Sequence, residues 1–525
     1  MASSNSFRAS TSDEIVYKDE HDDTASEASP LLPAMVAEKV SISQQVLVSQ
    51  SDLSKARHGT QYIGAIIATF GALIIGTTLG WTSPTTDALE GGQYGFSVSK
   101  DEMAWIGSFM PLGAIVGSLI VGSLVDLLGR KNLIIVLNIP ITIGWIVMAF
   151  APSVFMFIVG RFLTGISSGA FCFVVPMYTA EIAGKDIRGA LGTYFQLQIT
   201  VGILLVYIAG TFVNVFTLTL ICAVIPVIYA LMMLLLPETP YFHIMKKNLS
   251  AAKESMSWYR GSKYDSQPEL LEIQNDIERD EAEKVPFLQA FQTKAAKRGL
   301  LIGIGAMFFQ QFSGCNAVIF YTKSIFQDAG ATIDPNLSSI IIGVVQTLST
   351  YIASLIVDKL GRRLLMLMSI IVMTLCTFTL GLYFYLKTDA KLDVSDIGWL
   401  PLLSLSGYII VFSLGFGPVP WILVGEIFPL KIKGAACSIV CLCNWSYVFL
   451  VTKLFPLFVI WFGAGITFWC FAVCSAIGVF FVALIVPETK GKTLSEVQAM
   501  LGDENIVPST QYEVNPPFGE TKVKV

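Results

Sequence analysis

Charge is scarce in this chain. Asp, Glu, Lys and Arg make up 14% of its 525 residues, against 54% hydrophobic ones, and the mean hydropathy is +0.65. That balance excludes a soluble globular enzyme and points to an all-α polytopic membrane protein. Histidine is scarcer still. His21, His58 and His243 all lie outside the apolar runs, which leaves no His-based catalytic site and no intramembrane histidine relay. All nine cysteines fall inside apolar runs, so they make no disulfide framework. The Cys441/Cys443 pair has no second pair to complete a metal site. Residues 1–30 hold no apolar core and hence no signal peptide, and residues 238–298 hold no Gly-rich phosphate loop. With no nucleophile–base pair visible either, no enzyme activity, cofactor, metal or nucleic-acid partner is expected.

What the chain has instead is long apolar runs. Twelve of them, roughly 62–84, 103–125, 132–151, 154–178, 189–210, 217–236, 299–321, 338–357, 364–386, 398–424, 435–456 and 464–486, can cross a bilayer as helices. Residues 1–58 read as a disordered tail rich in Ser, Asp and Glu. Residues 59–237 and 299–487 read as two pseudo-symmetric six-helix bundles, 238–298 as a charged helical linker, and 488–525 as a second tail. Cations gather in every second connection. Arg130, Lys131, Lys185, Arg188, Arg298, Lys359, Arg362, Arg363, Lys431, Lys433, Lys490 and Lys492 lie on one side, and only Lys100, Lys323, Lys387 and Lys391 on the other. By the positive-inside rule both termini and the linker are cytosolic.

One stretch breaks the apolar pattern. Phe308 to Lys323 reads FFQQFSGCNAVIFYTK, placing Gln310, Gln311, Ser313 and Asn316 at bilayer depth. Amides in hydrocarbon are costly unless something polar faces them. Helix–helix glue, at ~0.6 kcal/mol on average, accounts for one or two such groups and poorly for four. A polar-solute site between helices is the better account, and Gly314 would weaken the helix where the amides turn inward.

The halves also repeat. Asp126-Leu-Leu-Gly-Arg130-Lys131 returns as Asp358-Lys-Leu-Gly-Arg362-Arg363. Glu181 with Arg188-Gly189 returns at the same spacing as Glu426 with Lys433-Gly434, and Pro237-Glu-Thr as Pro487-Glu-Thr. Three matched pairs at equivalent turns mark a duplicated six-span unit. These carboxylates and cations are expected to form a salt-bridge layer that holds an inner gate shut. Arg161, inside span four, needs a partner, and Glu181 is the expected one.

Together these residues resemble the sugar porters of the major facilitator superfamily. The motifs that carry the likeness are Asp126 to Lys131, Arg161, Pro176-Met-Tyr-Thr-Ala-Glu181, Arg188-Gly189, Gln310-Gln-Phe-Ser-Gly314, Gly415-Phe-Gly-Pro-Val-Pro-Trp421 and Pro487-Glu-Thr-Lys-Gly491. It runs from about residue 60 to 495. The stretches MFFQQFSG, NAVIFYT, GWLPL and FSLGFGPVPW look most like the insect facilitated trehalose transporters and facilitative glucose transporters. The resemblance implies a sugar site contacted by Gln196, Gln310, Gln311, Asn316, Trp421 and Asn444. Phe320 and Tyr321 would close the outer gate, and Trp445 would be another pocket aromatic. Amides match hydroxyl pairs and an indole covers the apolar face of a sugar ring.

Two departures concern the substrate. Gln346 stands where relatives commonly have Asn, and Tyr447 stands where many have a second Asn, which is expected to narrow the pocket. Proton-coupled relatives carry an Asp inside span one. Here Thr78 stands at about that place, and the first carboxylate, Asp87, lies beyond the span. A proton carrier needs a titratable group that is buried and exposed in turn, so a uniporter for trehalose or a hexose is expected. A proton-coupled symporter and a non-transporting sugar sensor are the alternatives. Two short signals remain. Glu27 with Leu31 and Leu32 resembles an acidic dileucine signal read by clathrin adaptors, which leaves plasma or endo-lysosomal membrane as the location. The Asn336-Leu-Ser338 sequon lies in an outer loop as a glycosylation acceptor.

Overall fold

A computed structural model describes residues 57–282, 293–330, 333–428, 430–492 and 494–502, and among these there is no strand. The described residues form eighteen α-helices. The first half comprises α1 (Gly59–Gly80), α2 (Thr82–Glu90), α3 (Lys100–Leu128), α4 (Arg130–Ala149), α5 (Val154–Ile182), α6 (Arg188–Phe212) and α7 (Val215–Leu234). The helices α8 (Pro240–Met245), α9 (Leu249–Arg260) and α10 (Gln267–Ala282) follow. The second half comprises α11 (Lys294–Phe312), α12 (Cys315–Ala329), α13 (Pro335–Leu360), α14 (Arg362–Thr388), α15 (Leu400–Val411), α16 (Val419–Ile427) and α17 (Leu430–Leu484), before a short α18 (Leu494–Met500).

Eleven helical runs are long and apolar enough to cross a bilayer, where the sequence predicts twelve spans. The difference lies in α17. Its 55 residues would extend ~80 Å, far more than a ~30 Å hydrocarbon core. The run breaks at Gly463, with φ 82° and ψ 160°, a backbone state that glycine enters without steric cost. The chain therefore crosses twice with a one-residue reversal, and twelve crossings are kept.

Two spans are interrupted where polar work is expected. Gly314, φ 96°, separates α11 from α12, and a Cβ there would come within 2.8 Å of the Phe471 ring. Residues Phe412–Phe416 form a wide turn between α15 and α16, closed by Gly417 N–H donating to the Phe412 carbonyl at 2.7 Å. Pro418 and Pro420 follow, and neither can donate to a helical ladder.

With lipid as solvent, close packing rather than hydrophobic exclusion joins the helices. Gly113 of α3 and Gly165 of α5 illustrate it. A Cβ on the first would overlap the Phe162 carbonyl, and one on the second the Met110 carbonyl. Helices α8 to α10 dock on α5. Tyr178 donates to the Pro237 carbonyl at 2.7 Å and meets the Tyr259 hydroxyl at 2.6 Å. Arg260, buried, donates to the Ile182 carbonyl and pairs with Glu269 at 2.8 Å.

The helices alternate in direction, which gives the molecule two ends. The terminal end carries His58, Glu181, Glu426 and Glu488, and the distal end carries Asp87, Lys323 and Lys453.

Candidate functional site

Where α11 breaks, its last turn and the start of α12 present Gln310, Gln311 and Asn316 toward α16 and α17, all buried. Gln310 donates through Nε2 to the carbonyls of Phe416 and Gly417, at 2.8 and 2.9 Å. Gln311 donates to Gln310 Oε1 at 3.2 Å and to Asn444 Oδ1 at 2.8 Å. Asn316 Nδ2 donates to Gln311 Oε1 at 2.5 Å. Ser313 is tied back, donating to the Gln310 carbonyl at 2.7 Å and meeting the Tyr408 hydroxyl at 2.9 Å. Four amides thus form one connected network at the break. The Trp445 indole N–H, next in sequence to Asn444, and the Gln346 side-chain oxygen on α13 are buried without a hydrogen-bond partner. Buried polar atoms left so are rare and costly, and are expected where a ligand or water completes them.

At the distal end, α12 is bound to the first half. Tyr207 of α6 donates to the Ile319 carbonyl at 2.6 Å and lies 3.1 Å from the Thr322 hydroxyl. The Lys323 N–H donates to Ser83 Oγ at 3.1 Å, its ammonium pairs with Asp87 at 2.9 Å, and Gln327 donates to the same carboxylate at 2.7 Å. Lys453 pairs with Asp101 at 2.8 Å and sits 3.9 Å from the centre of the Trp105 ring. Phe320, fully buried, lies 5.9 Å from the Arg161 guanidinium, and Tyr321 donates to the Thr452 carbonyl at 3.1 Å.

At the terminal end, the repeat becomes a repeated structure. Gly129 and Gly361, φ 88° and 90°, open α4 and α14. Glu238 accepts from the Lys131 N–H at 2.9 Å, and Glu488 accepts from the Arg362 and Arg363 N–H groups at 2.9 and 3.1 Å. Each carboxylate caps a helix N-terminus, which favours negative charge. The next residues, Thr239 and Thr489, donate to Glu181 at 2.5 Å and Glu426 at 2.6 Å. Those glutamates pair with Arg130 and Arg362, both at 3.0 Å. The copies differ in charge balance. Burial raises the Glu238 carboxyl above its usual range despite the Thr239 and Lys131 N–H groups and Arg130. Burial also pushes Glu488 up, but the N–H groups of Lys490, Arg362, Arg363 and Thr489 outweigh it and hold the carboxyl below that range.

Comparison with known proteins decides the family. The sugar (and other) transporter family model matches residues 49–501. The chain belongs to that sugar transporter family. The facilitated trehalose transporter Tret1 of Apis mellifera ligustica is 40% identical over 448 residues, covering 85% of this chain and 89% of the relative. Tret1 of Aedes aegypti is also 40% identical, over 443 residues and 84% of this chain, and here the chain spans only 55% of the relative's length. Among solved structures, the E. coli xylose transporter XylE in a partially occluded inward open conformation shares the fold, with TM-score 0.70, 24% identity, and coverage of 82% of this chain and 99% of that one. XylE described as a major facilitator superfamily proton:xylose symporter, bound to 6-bromo-6-deoxy-D-glucose, gives TM-score 0.69 at 25% identity, covering 84% of this chain and 99% of that one. This is a multi-pass sugar transporter of the major facilitator fold and not an enzyme.

Several expected site residues of the transporter sit elsewhere than predicted. Arg161 is no partner of Glu181 and no part of the terminal charge cluster. The two lie 20 positions apart on α5, about 30 Å at 1.5 Å per residue. Arg161 instead donates to the carbonyls of Thr78 at 2.7 Å and Ile106 at 3.2 Å and to Thr82 Oγ1 at 3.4 Å, toward the distal end. Asp126 is largely exposed and 3.9 Å from Arg130, a marginal pair. Arg188 and Lys433 make no side-chain hydrogen bond or ion pair with a described residue. Arg363 donates to the Ala483 carbonyl. The Asp358 side chain lies outside the described residues, as do Glu27, Leu31 and Leu32 with the whole of the expected tail up to residue 56. Gln196 is half-buried on α6, and Trp421, 38% exposed, stands on α16 outside the amide network. Tyr447, expected to narrow the pocket, packs its ring on Phe308 and Phe312 of α11 at 5.5 and 5.9 Å. Asn336 lies half-buried in the first turn of α13, with Ser338 fully buried.

Sequence reasoning missed the distal lysines. Lys323 and Lys453 are ion-paired across the halves, and the scarcity of cations on that side was the signal. It also missed that Glu238 and Glu488 cap helices, although the repeated Pro-Glu-Thr marked both.

Proposed function

We propose that the chain is a facilitative carrier of a neutral sugar, trehalose or a hexose such as glucose, that equilibrates it across the membrane by alternating access. The observation that carries this reading is the engagement of Arg161. Its guanidinium is met by two backbone carbonyls and a threonine hydroxyl, with Trp81 and Phe320 ring centres 5.7 and 5.9 Å away. Thr78 spends its hydroxyl on the Ile74 carbonyl at 2.8 Å. A proton-driven cycle needs a group that loads and unloads a proton beside the substrate path, and among the described residues no carboxylate is a hydrogen-bond partner of Arg161 or Thr78. The likeness to the Tret1 relatives supports the same substrate class.

The cation-rich terminal end is taken to face the cytosol, which makes the distal end the outer one. The distal cross-links then describe an outward-closed carrier. Substrate would lie at the amide network between residues 59–237 and 299–487, with Gln196, Gln346, Trp421 and Trp445 around it. The plasma membrane is the proposed location, with adaptor binding through Leu31 and Leu32 as the route to endo-lysosomal membranes.

The test is uptake of labelled trehalose and labelled glucose in cells expressing the chain, at two external pH values and with the proton gradient dissipated. Saturable uptake indifferent to both conditions is the expected result. Uptake that collapses with the gradient would make the protein a symporter, and no sugar uptake would end the reading.

A further inference from the structure

The span made of α15 and α16 is interrupted, and a side chain from a neighbouring helix sits in the interruption. Ser369 of α14, buried, accepts from the Phe416 N–H at 3.1 Å and donates to the Val411 carbonyl at 2.7 Å, the Met373 sulfur at 3.3 Å being a weaker acceptor. Those two backbone groups are five residues apart, the two ends of one rung of the wide turn at Phe412–Phe416. A single hydroxyl thus touches both ends of that rung. Gly415 lets it come so close, since a Cβ there would lie 2.5 Å from the Ser369 Cβ and from the Leu365 carbonyl oxygen. Beyond the turn the regular ladder lacks donors, because the residues four positions after Leu414 and Phe416 are Pro418 and Pro420.

The first half shows the same unit without such an insertion. The α15–α16 run ends at Glu426-Ile427 as α5 ends at Glu181-Ile182, yet α5 is continuous over 29 residues although Pro176 lies within it. Ser369 stands seven residues after Arg362, and the residue seven after Arg130 is Leu137, whose side chain has no polar group to offer a helix. There the hydroxyl comes from the opposite side: Ser167 of α5 donates to the Leu137 carbonyl at 2.7 Å, out of α5 and onto the α4 backbone. A side chain placed in a helical ladder is one of the few causes of a sharp bend, and of these two copies the one that has it is the interrupted one.

We infer that Ser369 is a positioning residue that fixes the rotational register of α16: its hydroxyl pins the wide turn to Val411 and Phe416, and so sets where Trp421 points. The inference rests on the sugar-carrier reading, in which Trp421 is a pocket aromatic. A turn that tightened or moved by one residue would rotate α16 by about 100° about its axis. Trp421 and Glu426 both lie on that helix, so both would leave their places. Ser369 itself is bonded to backbone on the far side of the turn and acts on the sugar only through the indole.

The experiment compares Ser369→Ala with Ser167→Ala as control, by uptake of labelled trehalose and labelled glucose normalised to surface protein, and by amide hydrogen exchange of the purified full chain. Ser369→Ala should raise the half-saturating sugar concentration about fivefold. In a Trp421→Ala background the same change should raise it by less than about twofold, since the indole it positions is already gone. Exchange should quicken in residues 411–424 and not in α14 or the rest of α15. Ser167→Ala should move the half-saturating concentration by less than about twofold. An equal rise in both backgrounds, or no rise in either, would overturn the proposal. Quickened exchange spread through α14 and α15 would also overturn it, because that marks a structural brace of the bundle. If the unaltered protein takes up no sugar, the carrier reading fails, while exchange confined to 411–424 still reads the pin.

Discussion

The two ends of this transporter use the same kinds of side chain for different ends. At the distal end the ion pairs Lys323–Asp87 and Lys453–Asp101 run from one half to the other. At the terminal end Arg130–Glu181 and Arg362–Glu426 stay within a half, each locked by a threonine and a helix-capping glutamate that directly follow that half. A bond inside a half survives any rigid-body rocking, whereas a bond between halves has to break when they part. The charged residues that recur in the repeat therefore brace each bundle in this conformation, and those of the two distal pairs tie the halves together.

The largest effect should come from breaking a brace. Arg130→Ala leaves Glu181 buried and unpaired, and should cost about 3–5 kcal/mol of stability, read as a lowered thermal midpoint of the purified protein. Arg362→Ala should cost less, because Glu426 is 31% exposed and water screens it. Equal losses would erase the distinction between the copies. The distal tie comes next. Asp87→Asn with Asp101→Asn should shift the resting population toward distal-open forms by about 1–2 kcal/mol, a factor of five to thirty. Spin labels at Gln93 and Lys391, both exposed at the distal end, would show a longer distance fraction. An unchanged distribution would mean that the aromatic and backbone contacts of α12 hold the distal end alone.

Between the ends, Gln311→Ala removes the hub of the amide network. It should raise the half-saturating sugar concentration about fivefold, the worth of ~1 kcal/mol for one hydrogen bond. Unaltered affinity would put the pocket elsewhere. The smallest effect separates the two capping glutamates. The raised Glu238 favours its protonated form, so any stability it adds is present at low pH and fades as pH rises through its folded value. The depressed Glu488 adds stability above its ordinary range, lost only as pH falls below it. Infrared titration of Glu238→Gln and Glu488→Gln difference spectra should place the first carboxylate above the ordinary 4.5 and the second below it. The reverse order would remove the asymmetry between copies.

Much of this was legible in order along the chain. Apolar runs of about bilayer length gave the crossings, since every backbone polar group in lipid must be satisfied by its own helix. The cluster Gln310, Gln311, Ser313 and Asn316 marked the site because amides at that depth need polar company. The reversal inside α17 was hidden in a continuous apolar run, because a single glycine carries it. The partner of Arg161 was misjudged because motif neighbours in sequence are not neighbours on a helix of 29 residues.

By itself, then, the sequence determined the crossings, the duplicated unit, and which side chains are polar at bilayer depth, all of which depend on local composition and period. Only the tertiary structure decided the pairing. It brought Lys323 to Asp87 across 236 positions, put the Phe416 and Gly417 carbonyls on Gln310, and kept the repeated charges within their own halves. Hydrogen bonds and ion pairs depend on which helix faces meet, and a residue's type does not carry that information.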